Sequence, residues 1–523
     1  MKTTSIFNDV IGPVMRGPSS SHTAASYRLG FLARNLLGEE PLEARVIFDA
    51  NGSYARVYRE QNSDLAFVAG FLGWEITDPQ FFQALRVASS SGHEFEFAIE
   101  PIRSADHPNT VRLELASKSG RRLVMVGKSI GGGAVEITEL NGWPLLLSGD
   151  YYETLLEAPA GAEEAAKNIL EASGQKMARF EVIKIQQKSE RVLIRLAGFK
   201  PLPDEIEQRL KNLKGLHLWK CPPVSFVVAG KPLFRSAEEI IKLAALSGAS
   251  LGQLGCRYEA ELLGWKEEDV LAEMTRRLKI MREAVEDGLK EEAESLRLQL
   301  LEPTAAKIHL VEKAGKLTGG RLTRAAIRAL AAEHVAASGG VVCAAPTGGS
   351  AGTIPGIMVT LLEEGRISEE KAALALLAAG AIGVIVATRA TFAAEIAGCQ
   401  VEIGAAGAMG AAAVVEAADG SAAEACEAAA ISFQNTMGLV CDLVQGVCEI
   451  PCHTRNAVAA ANAFVCADLI MGGYQNPIPL DETIDAVLAV GKTMPPELRV
   501  TSLGGLAVCP SALALKKKDR KNF

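Results

Sequence analysis

The sequence lacks a basic excess: 54 Lys and Arg face 62 Asp and Glu, for a formal net charge of −8 and a pI of about 5.6. That balance argues against a polyanion-binding role, because nucleic-acid binders usually carry a basic footprint. The one basic cluster, Lys516 to Lys521, reads as a solvated tail. It also lacks an apolar start: residues 1–15 contain Lys2 and Asp9 and no long hydrophobic core, so no secretory signal is expected there. The longest apolar run, Ala372 to Thr388, falls short of the roughly 20 residues that cross a bilayer and is rich in small side chains. It reads as a buried helix of a large helical core. The expectation is a cytoplasmic protein with neither membrane nor nucleic acid as partner. The ten cysteines include no C-x-x-C pair. In a cytoplasmic chain of this size a disulfide framework is not expected, which leaves metal binding, catalysis or burial.

What is present is organised in three parts, as the length suggests. Residues 1–150 mix strands and helices. "EARVIFDANGSYA" and "RRLVMVGKSIGGGAVEITELNG" read as strands and turns, and "SDLAFVAGFLGW" and "DPQFFQALRVASSSG" as helices between them. Residues 151–230 read as a small α/β module: the helix "GAEEAAKNILEASG", the strand pair in "FEVIKIQQKSERVLIRLAG", then the helix "PDEIEQRLKNLKG". "KCPPVSFVVAGKP" (220–232), with three prolines, marks a boundary. Residues 233–523 are rich in Ala and Gly and read as all-α. There Ser236 and Glu239 predict a capping box, and "KEEDVLAEMTRRLKIMREAVEDGLKEEAESL" (266–296) one long amphipathic helix. The fold class is therefore multidomain: an α/β (α+β) N-terminal domain, a small α/β module and an all-α C-terminal domain.

Cys399, Cys441 and Cys452 lie in Gly- or Pro-broken stretches between apolar helices, where a chain can turn thiolates towards one point. Their spacing is not that of a zinc knuckle, and spacing alone is weak evidence. Three thiolates are one fewer than the usual complement of a four-iron cluster. Such a site leaves one iron open as a Lewis acid, as the loss of a poor leaving group such as hydroxide requires.

Motifs along nearly the whole chain carry a resemblance. "SIFNDVIGPVMRGPSSSHTA" (5–24), "DHPNT" (106–110), "KSIGGG" (128–133) and "EITELNG" (136–142) are similar to the beta part of iron–sulfur-dependent L-serine dehydratase (L-serine ammonia-lyase). "CAAPTGGSAGTIPG" (343–356), "GCQVEIG" (398–404), "GLVCD" (438–442), "IPCHTRNA" (450–457) and "TSLGGLA" (501–507) are similar to its alpha part. The two parts, separate subunits in many bacteria, stand fused here with beta first. The resemblance puts a degenerate ACT-like regulatory module in the middle. It implies a 4Fe-4S cluster on Cys399, Cys441 and Cys452, with one open iron, and conversion of L-serine to pyruvate and ammonia. The iron takes the substrate hydroxyl, a base removes the α-proton, and the resulting enamine tautomerises and hydrolyses. Pyridoxal phosphate is not expected, since no pyridoxal-lysine loop stands out. Cys343 and Cys448 are read as non-ligands, and the ligating role of a C-terminal cysteine in some single-chain members is not carried over to Cys509.

Of seven histidines, His22 and His107 are the catalytic candidates. His22 sits among hydroxyls ahead of a helix that Thr23 is placed to cap. Its role is to orient substrate or to act as base, against the bland reading of a loop-fixing histidine. His453 is placed to bond a cluster sulfur, while His93, His217, His309 and His334 have no supporting context. Substrate contacts are expected from Ser19, Ser20, Ser21, Thr23, Asn109 and Ser129, and from Thr347, Gly348, Gly349 and Ser350, whose loop would bring hydroxyls and backbone N–H groups to a carboxylate. The site must then lie at a domain interface. Three departures from the family pattern leave the substrate open, one being "CDLVQG" (441–446) where the family has "CDPVAG". Gln61 stands where the family carries a histidine. Thr391–Glu395 replaces a Ser-Ile-Ser-Gly-Ala stretch, losing a hydroxyl at Ala393 and adding the Glu395 carboxylate. A dehydratase of another small hydroxy amino or hydroxy acid, and a cluster-bearing sensor without activity, remain as alternatives. The apolar alpha part suggests a homodimer or higher homo-oligomer.

Overall fold

In the computed structural model, which describes residues 3–518 apart from 173, 175–176, 291 and 293–295, the N-terminal half is built on sheets and the C-terminal half on helices. Alternating burial along Thr110–Ser117 marks a strand with one face on a core. That strand lies within a six-stranded sheet, in the order Glu94–Glu100, Pro41–Asp49, Thr110–Ser117, Arg122–Gly131, Ala134–Leu140, Trp143–Leu147. Neighbours run antiparallel except Pro41–Asp49 beside Glu94–Glu100. The parallel pair needs a crossover, and the helices Ser63–Leu72 and Ala84–Ser90 lie within it. Helices Ala25–Leu37 and Ser63–Leu72 cover one face, burying Leu29, Leu32, Phe67 and Phe71 against Val46, Phe48 and Leu113.

A second sheet of four antiparallel strands runs His217–Cys221, Tyr152–Pro159, Arg191–Gly198, Met177–Ile183, with helices Ala162–Ala172 and Asp204–Lys211 in its crossovers. This is the split βαββαβ order of ferredoxin-like modules. Segment 220–232 is no free linker. The Val224 N–H donates to Gly149 O at 2.8 Å, Phe226 exchanges two hydrogen bonds with the Asn8 amide, and the Gly230 N–H donates to Leu262 O at 2.9 Å. With Lys220 and Cys221 paired to Thr154 and Glu153 in the second sheet, the strap touches all three parts.

The helical half is layered around Ile403–Ala417, whose fifteen residues are all buried. Glycine and alanine dominate it, and small side chains let Thr353–Glu364, Glu369–Arg389, Ala422–Thr436 and Cys452–Met471 approach closely. The apolar run 372–388 belongs to Glu369–Arg389. That helix is long and apolar enough to cross a membrane, yet 78% of its most apolar window is buried in the protein. The N-terminus is threaded into this same core: Ile6, Phe7, Val10 and Ile11 join it, and Glu259 accepts the N–H groups of Ile6 (2.7 Å) and Phe7 (3.1 Å).

Three local expectations need correction. The long helix spans Glu267–Leu289, because Lys290 is extended. Ser236 caps its helix by accepting the Glu239 N–H at 3.1 Å, but the Glu239 carboxylate turns to the Arg235 N–H, so only half of the capping box forms. In the basic cluster, Lys517 pairs with Glu60 at 3.0 Å and Lys518 with Glu302 at 2.7 Å, whereas Asp519, Arg520 and Lys521 lie outside the described residues.

Candidate active site at the seam of the two halves

A three-residue ladder joins the halves. Val14–Arg16 pairs antiparallel with Val341–Cys343, in the register Val14–Cys343, Met15–Val342, Arg16–Val341. The loops that follow these strands, "GPSSSHT" and "APTGGS", are thereby laid side by side. The approach leaves no room for side chains: a Cβ on Gly17 would meet Ala336 O at 1.9 Å, and one on Gly348 would meet Pro18 O and Ser20 N at 2.8 Å. The Gly348 N–H donates to Ser20 Oγ at 3.3 Å across the seam.

Beneath the loops lies a small cavity of about 30 Å³. Ser19, Ser21, His22 and Gln61 line it from the N-terminal half. Gly349, Ala394, Glu395, Cys399, Glu402, Cys441, Leu443, Cys448, Cys452 and Val500 line it from the helical half. The ligating atoms of Cys399, Glu402 and Cys441 lie within 4.8 Å of one another. Cys452 opens the helix Cys452–Met471, where backbone N–H groups favour negative charge. Asn456 ties that helix to the facing loop: its amide donates to Gly349 O (2.9 Å) and Cys452 O (3.0 Å), and its oxygen accepts the Thr353 N–H (3.0 Å) and hydroxyl (2.8 Å).

The wall formed by the helical half is short of positive charge; among the described residues lining the cavity there is no Lys or Arg. Contact with the Cys399 thiol, followed by burial, pushes the Cys441 thiol well up, and contact with Cys452 followed by burial does the same to Cys448. Burial, then the charges at Cys399 and Glu395, raises the Glu402 carboxyl. Four thiols and a carboxyl, crowded and without a counter-cation of their own, form a donor set that a soft, thiolate-bound metal group fits.

His22 is buried and bonded at both ring nitrogens: Nδ1 to Ser19 Oγ at 3.3 Å and Nε2 to Ser53 Oγ at 3.1 Å. Its ring meets Tyr54 edge-on at 5.0 Å. Burial lowers its pKa to about 4, opposed by the charge of Glu395. Ser53 is itself fixed by donating its N–H to Pro108 O at 2.7 Å. Thr23 does not cap the helix Ala25–Leu37: its hydroxyl donates to Gln61 O at 2.7 Å and accepts the Ser19 N–H at 3.3 Å, while Ser19 accepts the His22 N–H and caps the turn Ser20–Ala24.

Of the residues singled out in the sequence, Ser19, Ser21, His22, Gly349, Cys399, Cys441 and Cys452 reach the cavity wall. Ser20, Thr23, Thr347, Gly348 and Ser350 stand behind it and brace the loops. The Thr347 and Ser350 hydroxyls lie 3.1 Å apart, and Thr347 also bonds Glu402. His107 and Asn109 stand one step back: His107 Nδ1 accepts the Asn109 N–H at 3.1 Å, and Asn109 Nδ2 donates to Glu395 at 3.3 Å. Ser129 is fully buried beside them and donates its N–H to Asn109 O at 3.2 Å. Cys343 sits in the ladder and Cys509 is exposed, neither on the wall, whereas Cys448 is on it. His453 faces the His334 ring at 4.9 Å, and among the described residues both of its ring nitrogens lack a hydrogen-bond partner. Sequence reading missed Glu402, although it lies inside the "GCQVEIG" motif. It also missed Ser53 and Asn456, which act through contacts no local pattern encodes.

Comparison with known proteins agrees with this arrangement. Residues 161–507 match the family model described as serine dehydratase alpha chain. The chain is 38% identical over 287 residues to the probable L-serine dehydratase alpha chain of Bacillus subtilis, covering 55% of this chain and 95% of that one. It is 44% identical over 151 residues to the probable beta chain of the same organism, covering 29% of this chain and 66% of that one. L-serine dehydratase 2 of Escherichia coli is 27% identical over 516 residues, covering 94% of this chain and 96% of that one. The chain belongs to the serine dehydratase alpha-chain family, with a segment similar to a beta chain fused to it.

Proposed function

We propose that the protein dehydrates and deaminates L-serine to pyruvate and ammonia at the seam cavity, with a 4Fe-4S cluster held by Cys399, Cys441 and Cys452. The single observation that carries this reading is the meeting of two unlike walls in one cavity: hydroxyls and an imidazole from one half, thiols and carboxyls from the other. A cluster with three protein ligands supplies a Lewis-acidic iron that stabilises the departing hydroxide.

The chain's own groups bind and move protons. His22, neutral at pH 7 because of its burial, is the imidazole able to take the substrate's α-proton, and the Glu395 charge favours the imidazolium once formed. Its two hydroxyl partners, Ser19 and Ser53, hold the ring and give the proton a way in and a way out. Gly349, on the wall and without a side chain, leaves space beside Glu402 for a small substrate. Leu443 and Val500 exclude water. The βαββαβ module supports the ACT-like assignment of residues 151–230, between a beta domain at 1–150 and the alpha domain at 233–523. A cytoplasmic homodimer or higher homo-oligomer completes the proposal.

The test is purification without air, iron and sulfide quantification, and release of 2-oxo acid from a panel of hydroxy amino and hydroxy acids. The expected result is bound iron and sulfide, with pyruvate formed from L-serine. Protein without iron sinks the reading. Preference for another substrate, for which Gln61 and Glu395 on the wall give reason, replaces serine within the same chemistry.

A further inference from the structure

Glu395 stands on the cavity wall outside the close group formed by Cys399, Glu402 and Cys441, and it is braced from behind. Asn109 Nδ2 donates to its Oε1 at 3.3 Å. Asn109 cannot drift: its N–H is held by His107 Nδ1 at 3.1 Å, its carbonyl accepts the Ser129 N–H at 3.2 Å, and it is fully buried. A carboxylate held by one such bond, from an amide whose backbone is pinned by two more, at a small cavity with no Lys or Arg among the described lining residues, is arranged for a cationic guest. Glu402, the other carboxyl on the wall, is bonded by Thr347 and lies within 4.8 Å of two thiols, so it serves the thiol side.

We propose that Glu395, positioned by Asn109, binds the α-ammonium group of the substrate and makes the enzyme select 2-amino acids over 2-hydroxy or unsubstituted acids. An ammonium offers three N–H donors, and its charge-assisted bond to a carboxylate is among the stronger hydrogen bonds. An acid without the ammonium brings only negative charge to this wall and is repelled, so one residue both attracts the right substrate and rejects the wrong one. The charge of Glu395 also reaches His22, His107 and Tyr54.

The inference rests on the serine reading and is tested on iron-loaded protein kept from air. L-Serine kinetics are compared with inhibition by 3-hydroxypropionate, which is serine without its amino group. Glu395→Gln should raise KM for L-serine by roughly 10- to 100-fold, far more than it lowers kcat. It should leave 3-hydroxypropionate binding equal or tighter, with iron per chain unchanged. Glu395→Asp should restore part of the preference. Equal weakening of both compounds, or a fall in kcat with KM unchanged, overturns the assignment. Wild-type protein that carries iron and ignores L-serine overturns the serine reading instead. Glu395 is then judged by whether the glutamine variant abolishes the preference in binding for an amino acid over its deaminated analogue.

Discussion

The N-terminal wall of the cavity offers Ser19, Ser21, His22 and Gln61, while the helical wall offers Cys399, Cys441, Cys448, Cys452, Glu395 and Glu402. On the first wall burial keeps the imidazole uncharged. On the second, thiols and carboxyls press against one another and call for a cation. Neither wall is a site alone. The helical half has the means to hold metal without the N-terminal half, but it lacks the imidazole; the N-terminal half has the imidazole and no ligand set. Fusion of the two into one chain, joined by the Val14–Arg16 ladder and the buried segment Ile6–Ile11, fixes their register.

The largest effects are expected on the thiol side. Cys399→Ser, Cys441→Ser or Cys452→Ser should each cost iron and lower turnover by at least about a thousand-fold, since the metal is worth several kcal/mol to the transition state. Cys343→Ser, in the ladder and off the wall, should keep its iron. Iron analysis of the four variants checks this.

The seam comes next. Gly348→Ala pushes a Cβ to 2.8 Å from Pro18 O and Ser20 N. Prying the loops apart should destabilise the protein by about 1–3 kcal/mol and lower kcat while iron stays bound, because every cysteine on the wall belongs to the helical half. Thermal unfolding and iron content, read together, separate this from a collapse of the metal site.

Acid sharpens the contrast between the walls. The folded pKa of His22, about 4, lies below its ordinary 6.5. Between those values the unfolded chain holds the proton and the folded chain does not. Stability from this group is therefore full above pH 6.5 and lost as pH falls towards 4, by roughly 3 kcal/mol. His22→Gln should flatten that part of the profile, as seen in denaturant midpoints of iron-free protein at pH 7 and pH 4.5.

The smallest effect is expected at Ser53, which touches His22 Nε2 from outside the cavity. Ser53→Ala removes one hydrogen bond worth about 1 kcal/mol, so turnover should fall by several-fold with iron unchanged.

Much of this was legible in the sequence, for definite reasons. Cys399, Cys441 and Cys452 stand out because Gly and Pro break the helices beside them, and "GPSSSHT" because a polar loop that dense needs a task. The division into a sheet-built half and a helical half follows from the change of period from strand to helix. What stayed hidden is tertiary. Glu402 and Ser53 acquire meaning only from partners on other elements. Thr347 and Ser350 look like ligand-binding hydroxyls in the sequence but bond each other, with Thr347 also held by Glu402 and Ser350 by loop carbonyls. The full capping box at Ser236 fails because Glu239 finds the Arg235 N–H first. The helix from 266 stops at Leu289 although its charge pattern runs on.

The most direct test sets iron per chain beside pyruvate release from L-serine in wild type, His22→Gln and Cys441→Ser, all prepared without air. The two-wall account predicts iron and turnover in the wild type, iron without turnover in His22→Gln, and neither in Cys441→Ser. Normal turnover in His22→Gln, or full iron in Cys441→Ser, would contradict it.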